Sequence, residues 1–244
     1  LYRLLELGKL PEHFVIIGVV RGSVQKTIFQ DLEITILRQN GTCDQALVAK
    51  LKASTQLIQM DSTVEDDYRR LKELLDEIDQ KSGVKHNRLY YLAIPPAIFR
   101  TVLVCLGAAG LNQEDGAAAR ILVEKPFGTD LSSARELVTT MNAYFSEVQT
   151  FRIDHYLAKE TAQNILTFRF NNPISDGIWG RHSIDHIQIT SAETNDVADR
   201  ATFYEGMGAL RDIVQSHLLQ LVALTMMEVP FPMTAKNMHA ERLS

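Results

Sequence analysis

Phe14-Val15-Ile16-Ile17-Gly18-Val19-Val20 is a short, unbroken apolar run, rich in β-branched residues and entered through Pro11. A run of this length without polar alternation reads as a strand buried on both faces of a parallel sheet. It is far too short to cross a bilayer as a helix. Upstream, Leu1, Leu4 and Leu5 recur at helical spacing and Gly8 can stop that helix. Downstream, residues 44–54 and 63–80 read as helices. The second carries a stripe of Val64, Tyr68, Leu71, Leu74, Leu75 and Ile78, with acids in its first turn. Thr55 to Met60 reads as a strand between them, and Leu89 to Ile94 as another, closed by Pro95-Pro96. Phe99 to Ala109 (helix), Arg120 to Glu124 (strand) and Asp130 to Tyr144 (helix, started by the aspartate) continue the alternation. Strands alternating with helices at this spacing predict an α/β fold, a doubly wound, Rossmann-like parallel sheet. Residues 1–150 are therefore expected to form a dinucleotide-binding domain.

The texture changes after residue 150. A helix is predicted over Lys159 to Arg169, ended by Asn171-Asn172-Pro173. Ile184 to Thr190 alternates like a two-sided strand, and residues 191–202 are polar and loop-like. A long helix is predicted over 207–228, with Leu210, Ile213, Val214, His217, Leu218, Leu221 and Val222 on one face. Residues 151–244 thus read as the start of a second, α+β domain.

Bulk properties exclude several classes. A net charge of −5 gives no global attraction to nucleic acid or anionic lipid, so any anion site must be local. No charged segment followed by an apolar core reads as a secretory signal. Cys43 and Cys105 are far apart and lack metal-ligand spacing, which fits free thiols in a reducing cytoplasm and no metal site.

In a doubly wound domain the ligand sits at the carboxyl ends of the strands, normally on a glycine-rich first turn. No Gly-x-Gly-x-x-Gly occurs among these 244 residues. Arg21 follows the Val15–Val20 strand where an NAD-specific domain would place an acid, and an arginine there can pair with a 2′-phosphate, which favours NADP. An exposed arginine at the start of a helix is the plainer reading. Glu124 and Lys125 follow a strand directly, with Pro126 after them.

Chemistry is densest in Phe151-Arg-Ile-Asp-His-Tyr-Leu-Ala-Lys-Glu160, which puts an acid, an imidazole, a phenol and two cations at one strand end. Asp154 as a helix N-cap with a solvated first turn is the alternative. Arg211-Asp-Ile-Val-Gln-Ser-His-Leu-Leu-Gln220 places His217 on an apolar stripe, where a histidine is ordinarily a core residue. As a base it would be suited to proton removal near neutral pH.

Together, Ile121–Asp130, Phe151–Glu160 and Arg211–Gln220, in this order and spacing, resemble the glucose-6-phosphate dehydrogenase family, and the likeness runs through nearly all of the chain. The resemblance implies oxidation of glucose 6-phosphate at C1 to the 6-phospholactone with hydride transfer to NADP. That is the first step of the oxidative pentose phosphate pathway, carried out in the cytoplasm by a homodimer or homotetramer, with no nucleic-acid or membrane partner. It makes His217 the general base and Asp154 its orienting carboxylate. His155, Tyr156 and Lys159 match the family's phosphate-binding residues, and Lys125 a residue near both sugar and nicotinamide. Glu193 and Asp212 match carboxylates that accept from sugar hydroxyls; a loop-surface acid and a first-turn helix acid are their plainer readings. Ala93 and Pro95, in Leu92-Ala-Ile-Pro-Pro96, match the stretch lining the nicotinamide end, and Arg21, Glu124 and Lys125 complete the cofactor set. Ala158 stands where the family usually has glycine. The resemblance also implies that the chain begins just after the glycine-rich turn and ends before the second domain is complete. Two further readings stand beside it: a dehydrogenase of another sugar or sugar phosphate, suggested by the shared Glu-Lys-Pro, and a catalytically silent binding module.

Overall fold

A computed structural model describes residues 1–22, 29, 32–125, 127–128, 130–172, 177–192, 204–205 and 208–243. The chain forms two compact units, one of residues 1–88 and 97–119 and the other of residues 89–96 and 120–244.

In the first unit the apolar run becomes β1 (Ile16–Val20), paired in parallel with β2 (Thr55–Gln59) in the register Ile16↔Thr55 to Val20↔Gln59. Gly18 faces Leu57 in that register, and a Cβ on it would lie 2.6 Å from the leucine side chain. A larger residue at Gly18 would have to displace the end of the Leu57 side chain. Helices α1 (Tyr2–Glu6), α2 (Leu32–Asn40) and α3 (Gln45–Ala53) supply a cluster of Tyr2, Ile36, Val48 and Leu51, with Phe14 and Ile16 against it. Asp44 caps α3 by accepting from the Ala46 and Leu47 N–H groups at 2.7 and 3.2 Å. Its own N–H donates to the Tyr2 hydroxyl, joining α1 to α3. Helix α4 (Glu65–Ser82) begins with Glu65, Asp66 and Asp67, ends at Gly83 in the left-handed region (φ 73°), and buries Tyr68 and Leu71 of the expected stripe. Helix α5 (Pro96–Ala108) starts three residues earlier than the sequence suggested, because proline fits the first turn of a helix.

The second unit contains β3 (Arg88–Leu92), β4 (Ala119–Val123) and β5 (Thr150–Arg152) in that spatial order, β4 and β5 being parallel. Helix α6 (Leu131–Tyr144) links β4 to β5. It opens with a capping box in which Asp130 accepts from Ser133 N at 2.7 Å and the Ser133 hydroxyl accepts from Asp130 N. Gly128, at φ +90°, lies against this turn; a Cβ there would fall 2.5 Å from the Ala134 nitrogen, so no other residue fits. Helix α7 (Glu160–Phe170) follows the charged motif, and α9 (Ala235–Glu241) comes last. The alternating α/β plan with parallel sheets is the one expected.

Two elements differ from the sequence reading. Residues 184–190 form no strand: no described segment runs beside them to supply a ladder, and alternation without a partner is not enough. The long helix, here α8, is not uniformly α. Leu210–Leu218 is wound as a π-helix and only Leu219–Met226 is α. The Ser216 hydroxyl donates to the Arg211 carbonyl at 2.8 Å, and the Lys125 ammonium donates to the Ser216 carbonyl, so side chains take carbonyls that a regular ladder would use. A stripe drawn at 3.6 residues per turn then loses register, and Leu210 is 70% exposed.

Helices α7 and α8 are joined by Arg169. Arg169 is 7% exposed; its guanidinium donates to the Leu224 and Met227 carbonyls at 2.8 Å each, and Trp179 Nε1 donates to the Thr225 carbonyl at 2.9 Å. The arginine also lies over the rings of Phe170 and Trp179. The carbonyls at the end of α8 are thereby satisfied by Arg169 of α7 and by Trp179. Arg169→Met should lower the unfolding free energy by about 2–4 kcal/mol, roughly the cost of two unpaired buried carbonyls. Urea titration checks this, and a change below about 0.5 kcal/mol would mean that water replaces the guanidinium without cost.

Candidate functional site

The parallel pairing of β4 and β5 decides where the chemistry gathers. Val123 pairs with Arg152, so Lys125 and Asp154 each lie two residues past the same rung. The Ile153 N–H donates to the Val123 carbonyl at 2.9 Å, carrying the ladder one step further. Lys125 Nζ then reaches Asp154 Oδ2 at 2.6 Å. The other carboxylate oxygen, Oδ1, lies 3.1 Å from His217 Nδ1 and also accepts from the backbone N–H groups of Tyr156, at 3.0 Å, and Leu157, at 3.4 Å. The side chains of Asp154 and His217 are 10% and 12% exposed.

Burial by itself would raise the Asp154 pKa. The hydrogen bond and charge of Lys125, with the Tyr156 N–H and His217, outweigh it and hold the carboxyl below its usual value. Asp154 is therefore a carboxylate at neutral pH, and it accepts from the Nδ1–H tautomer of His217. Nε2 is left as the basic nitrogen. Lys125 spends one donor on Asp154 and one on the Ser216 carbonyl, and an ammonium has three.

Tyr156 is stacked on His217, with ring centroids 4.2 Å apart and planes 14° from parallel. Lys159, the residue before α7, sets its Nζ 3.9 Å from the centroid of the same tyrosine ring. The structure thus brings together Lys125, Asp154, Tyr156, Lys159 and His217. His155 is exposed beside them in sequence. Asp212 is half-buried in the π-helical part of α8, five residues before His217. Glu193 lies outside the described residues.

An open cavity of about 550 Å³ runs along Lys125, Gly128, Asp130, Arg211, Gln215 and Gln220. A larger one, about 900 Å³, lies in the first unit along Lys72, Asp76, Asp79, His86 and Arg88, and none of the candidate residues lines it.

On the cofactor side, Arg21 is exposed directly after β1, in the first unit. Ala93 and Pro95 are exposed just past β3. Glu124, half-buried just past β4, accepts a hydrogen bond from the Tyr91 hydroxyl. That bond, with burial and the glutamate charge, raises the Tyr91 pKa and keeps the phenol protonated. An exposed guanidinium at a strand end is a group that can pair with an anion. Sequence reasoning did not find Tyr91, the Ser216 carbonyl, or Ser191, whose hydroxyl lies 2.8 Å from that of Tyr156. Nothing local in the sequence marks these groups; each matters only through a partner remote in the chain. No helix among the described residues is long and apolar enough to cross a membrane, and no metal-ligand cluster occurs among them.

A Rossmann-like α/β chain that delivers a lysine and a carboxylate from neighbouring strand ends to a histidine has the build of a dinucleotide-binding oxidoreductase domain. The chain belongs to the glucose-6-phosphate dehydrogenase family: residues 1–164 match the profile described as "Glucose-6-phosphate dehydrogenase, NAD binding domain", and residues 166–244 match "Glucose-6-phosphate dehydrogenase, C-terminal domain". It is 39% identical over 243 residues to glucose-6-phosphate 1-dehydrogenase of Aggregatibacter actinomycetemcomitans, covering 99% of this chain and 49% of that protein. Identity to glucose-6-phosphate 1-dehydrogenase 2 of Mycobacterium bovis is 40% over 251 residues, covering 99% and 48%. Among solved structures, glucose-6-phosphate 1-dehydrogenase from Mycobacterium avium superposes with a TM-score of 0.83 at 34% identity, covering 99% and 51%. A glucose-6-phosphate dehydrogenase in complex with its substrate glucose 6-phosphate superposes at 0.88 and 32%, covering 99% and 50%. The chain spans about half the length of the curated relatives it matches.

Asp154→Asn should reduce stability at pH 7 by about 2–3 kcal/mol. That is less than the ~3–5 expected for breaking a fully buried pair, because Lys125 keeps water and the Ser216 carbonyl. The folded-state pKa of Asp154 is lowered, so its contribution is complete above the unfolded value near ~3.9 and is lost as pH falls through the folded one. Denaturant midpoints of the two proteins should therefore converge below about pH 4. Curves that stay parallel into acid would show that the carboxylate charge is not what stabilises this site.

Proposed function

We propose that this chain is the dinucleotide-binding and base-carrying portion of an NADP-dependent glucose-6-phosphate dehydrogenase. The observation that supports this most is the Lys125–Asp154–His217 arrangement, in which one buried carboxylate holds both a cation and an imidazole with its Nε2 unbonded to the acid. His217 Nε2 takes the proton from the C1 hydroxyl of glucose 6-phosphate. Asp154 keeps the imidazole in the tautomer that can accept it and stabilises the imidazolium that forms. Lys125 holds Asp154 ionised and directs its third donor to the sugar. His155, Tyr156 and Lys159 offer charge-assisted donors to the 6-phosphate dianion, while Glu193 and Asp212 accept from sugar hydroxyls. Arg21 would pair with the 2′-phosphate of NADP, and Ala93, Pro95, Glu124 and Lys125 would serve its nicotinamide end. When bound, NADP supplies the acceptor for the hydride leaving C1, and the product is the 6-phospholactone. In this reading residues 1–150 serve the cofactor and 151–244 begin the substrate and oligomerisation domain of a cytoplasmic homodimer or homotetramer. The reaction opens the oxidative pentose phosphate pathway.

The test is formation of reduced cofactor, followed by absorbance, with the product of the whole open reading frame that encodes this chain. Turnover with glucose 6-phosphate and NADP is expected. His217→Asn should lower kcat by about 10²-fold or more, as for loss of a general base, with KM changed far less. A wild type silent on glucose 6-phosphate but active on another sugar, or a His217→Asn variant as active as wild type, would overturn the assignment.

A further inference from the structure

One atom, Asp154 Oδ1, ties Tyr156 to His217. It lies 3.1 Å from His217 Nδ1 and accepts from the Tyr156 backbone N–H at 3.0 Å. The tyrosine ring in turn stacks on the imidazole, with centroids 4.2 Å apart and planes 14° from parallel. Asp154, Tyr156 and His217 therefore close a loop of three contacts, and the tyrosine in it is only 8% exposed. These contacts fix different things. The hydrogen bond at Nδ1 holds one atom of the imidazole and leaves the ring able to swing about that contact. The Nε2 lone pair lies in the ring plane, so the plane decides where the basic nitrogen points. The stack on Tyr156 sets that plane. An aromatic face also attracts a cation, which the imidazole becomes once it has taken a proton.

We propose that Tyr156 is a positioning residue for the base, its ring holding the His217 imidazole in the plane from which Nε2 reaches the C1 hydroxyl. The inference rests on the glucose 6-phosphate reading, in which His217 removes that proton. It gives the ring a task separate from any the hydroxyl has at the phosphate. Without the ring, the imidazole keeps its bond to Asp154 but spends time in orientations where Nε2 misses the hydroxyl. Proton transfer depends steeply on alignment, so the loss falls on kcat rather than on substrate binding.

The experiment compares Tyr156→Phe with Tyr156→Leu, each alone and combined with His217→Asn, in the product of the whole open reading frame with glucose 6-phosphate and NADP. Both Tyr156 variants lack the hydroxyl, so the difference between them reports the ring whatever the hydroxyl binds. Tyr156→Leu should have a kcat about three- to tenfold below that of Tyr156→Phe, as for one aromatic pair, with KM for glucose 6-phosphate within about twofold. In the His217→Asn background the two should turn over equally, because the ring has no base left to orient. Where Tyr156→Leu gives no folded protein, Tyr156→Met takes its place, since its unbranched side chain fills the space without a ring. Equal kcat for the phenylalanine and leucine variants, in an enzyme active on glucose 6-phosphate, overturns this proposal alone. So does a gap that persists undiminished with His217→Asn, the mark of a merely structural role, and so does a gap that falls on KM. A wild type without glucose 6-phosphate turnover overturns the functional reading, and this inference with it.

Discussion

The second unit depends on one carboxylate. Asp154 is nearly buried, and a buried charge is tolerated only when its hydrogen-bonding capacity is filled. Its donors come from three parts of the chain: Lys125 from the end of β4, His217 from α8, and the Tyr156 and Leu157 N–H groups from its own turn. Each of these segments is placed by the need to satisfy the same two oxygens. The equal offset of Lys125 and Asp154 beyond the Val123–Arg152 rung makes the cation–carboxylate contact a consequence of parallel register. A one-residue slip of β5 would turn Asp154 to the other face of the sheet and separate it from both partners.

The π-helical half of α8 belongs to the same constraint. Lys125 bonds to the Ser216 carbonyl, and His217 is the next residue, so the helix is gripped at two adjacent positions by groups on and after the sheet. Wider winding over Leu210–Leu218 accommodates this, and π turns are frequent where function constrains a helix. At its far end Arg169 and Trp179 bind the carbonyls of Leu224, Thr225 and Met227. The helix carrying His217 is therefore held near its middle by the strand-end cluster, and at its C-terminal end by Arg169 of α7 and by Trp179. Rigid support of this kind keeps an imidazole within the narrow geometry that proton transfer requires.

Much of this was legible in the primary structure, for local reasons. The Phe14–Val20 run, the alternation of strand and helix patterns, and caps such as Asp44 and Asp130 act over a few residues, so periodicity and turn chemistry expose them. The residues of Phe151–Glu160 stood out because so many ionisable groups follow one strand. Misreadings arose where a remote partner decides. The alternation over 184–190 has no strand beside it among the described residues, and the stripe over 207–228 assumed a winding that the Ser216 contacts alter.

The amino-acid sequence by itself determined the α/β class, the order of the elements, and the set of side chains able to act as base, carboxylate and anion ligands. These follow from spacing within single segments and from motifs shared with a family. The tertiary structure alone decided which of them meet. Asp154 and His217 are 63 residues apart, Lys125 and Asp154 29 apart, and Tyr156 and Ser191 35 apart. No local preference encodes such pairs. They come from strand register, from the winding of α8, and from the cost of leaving a buried charge or hydroxyl unpartnered.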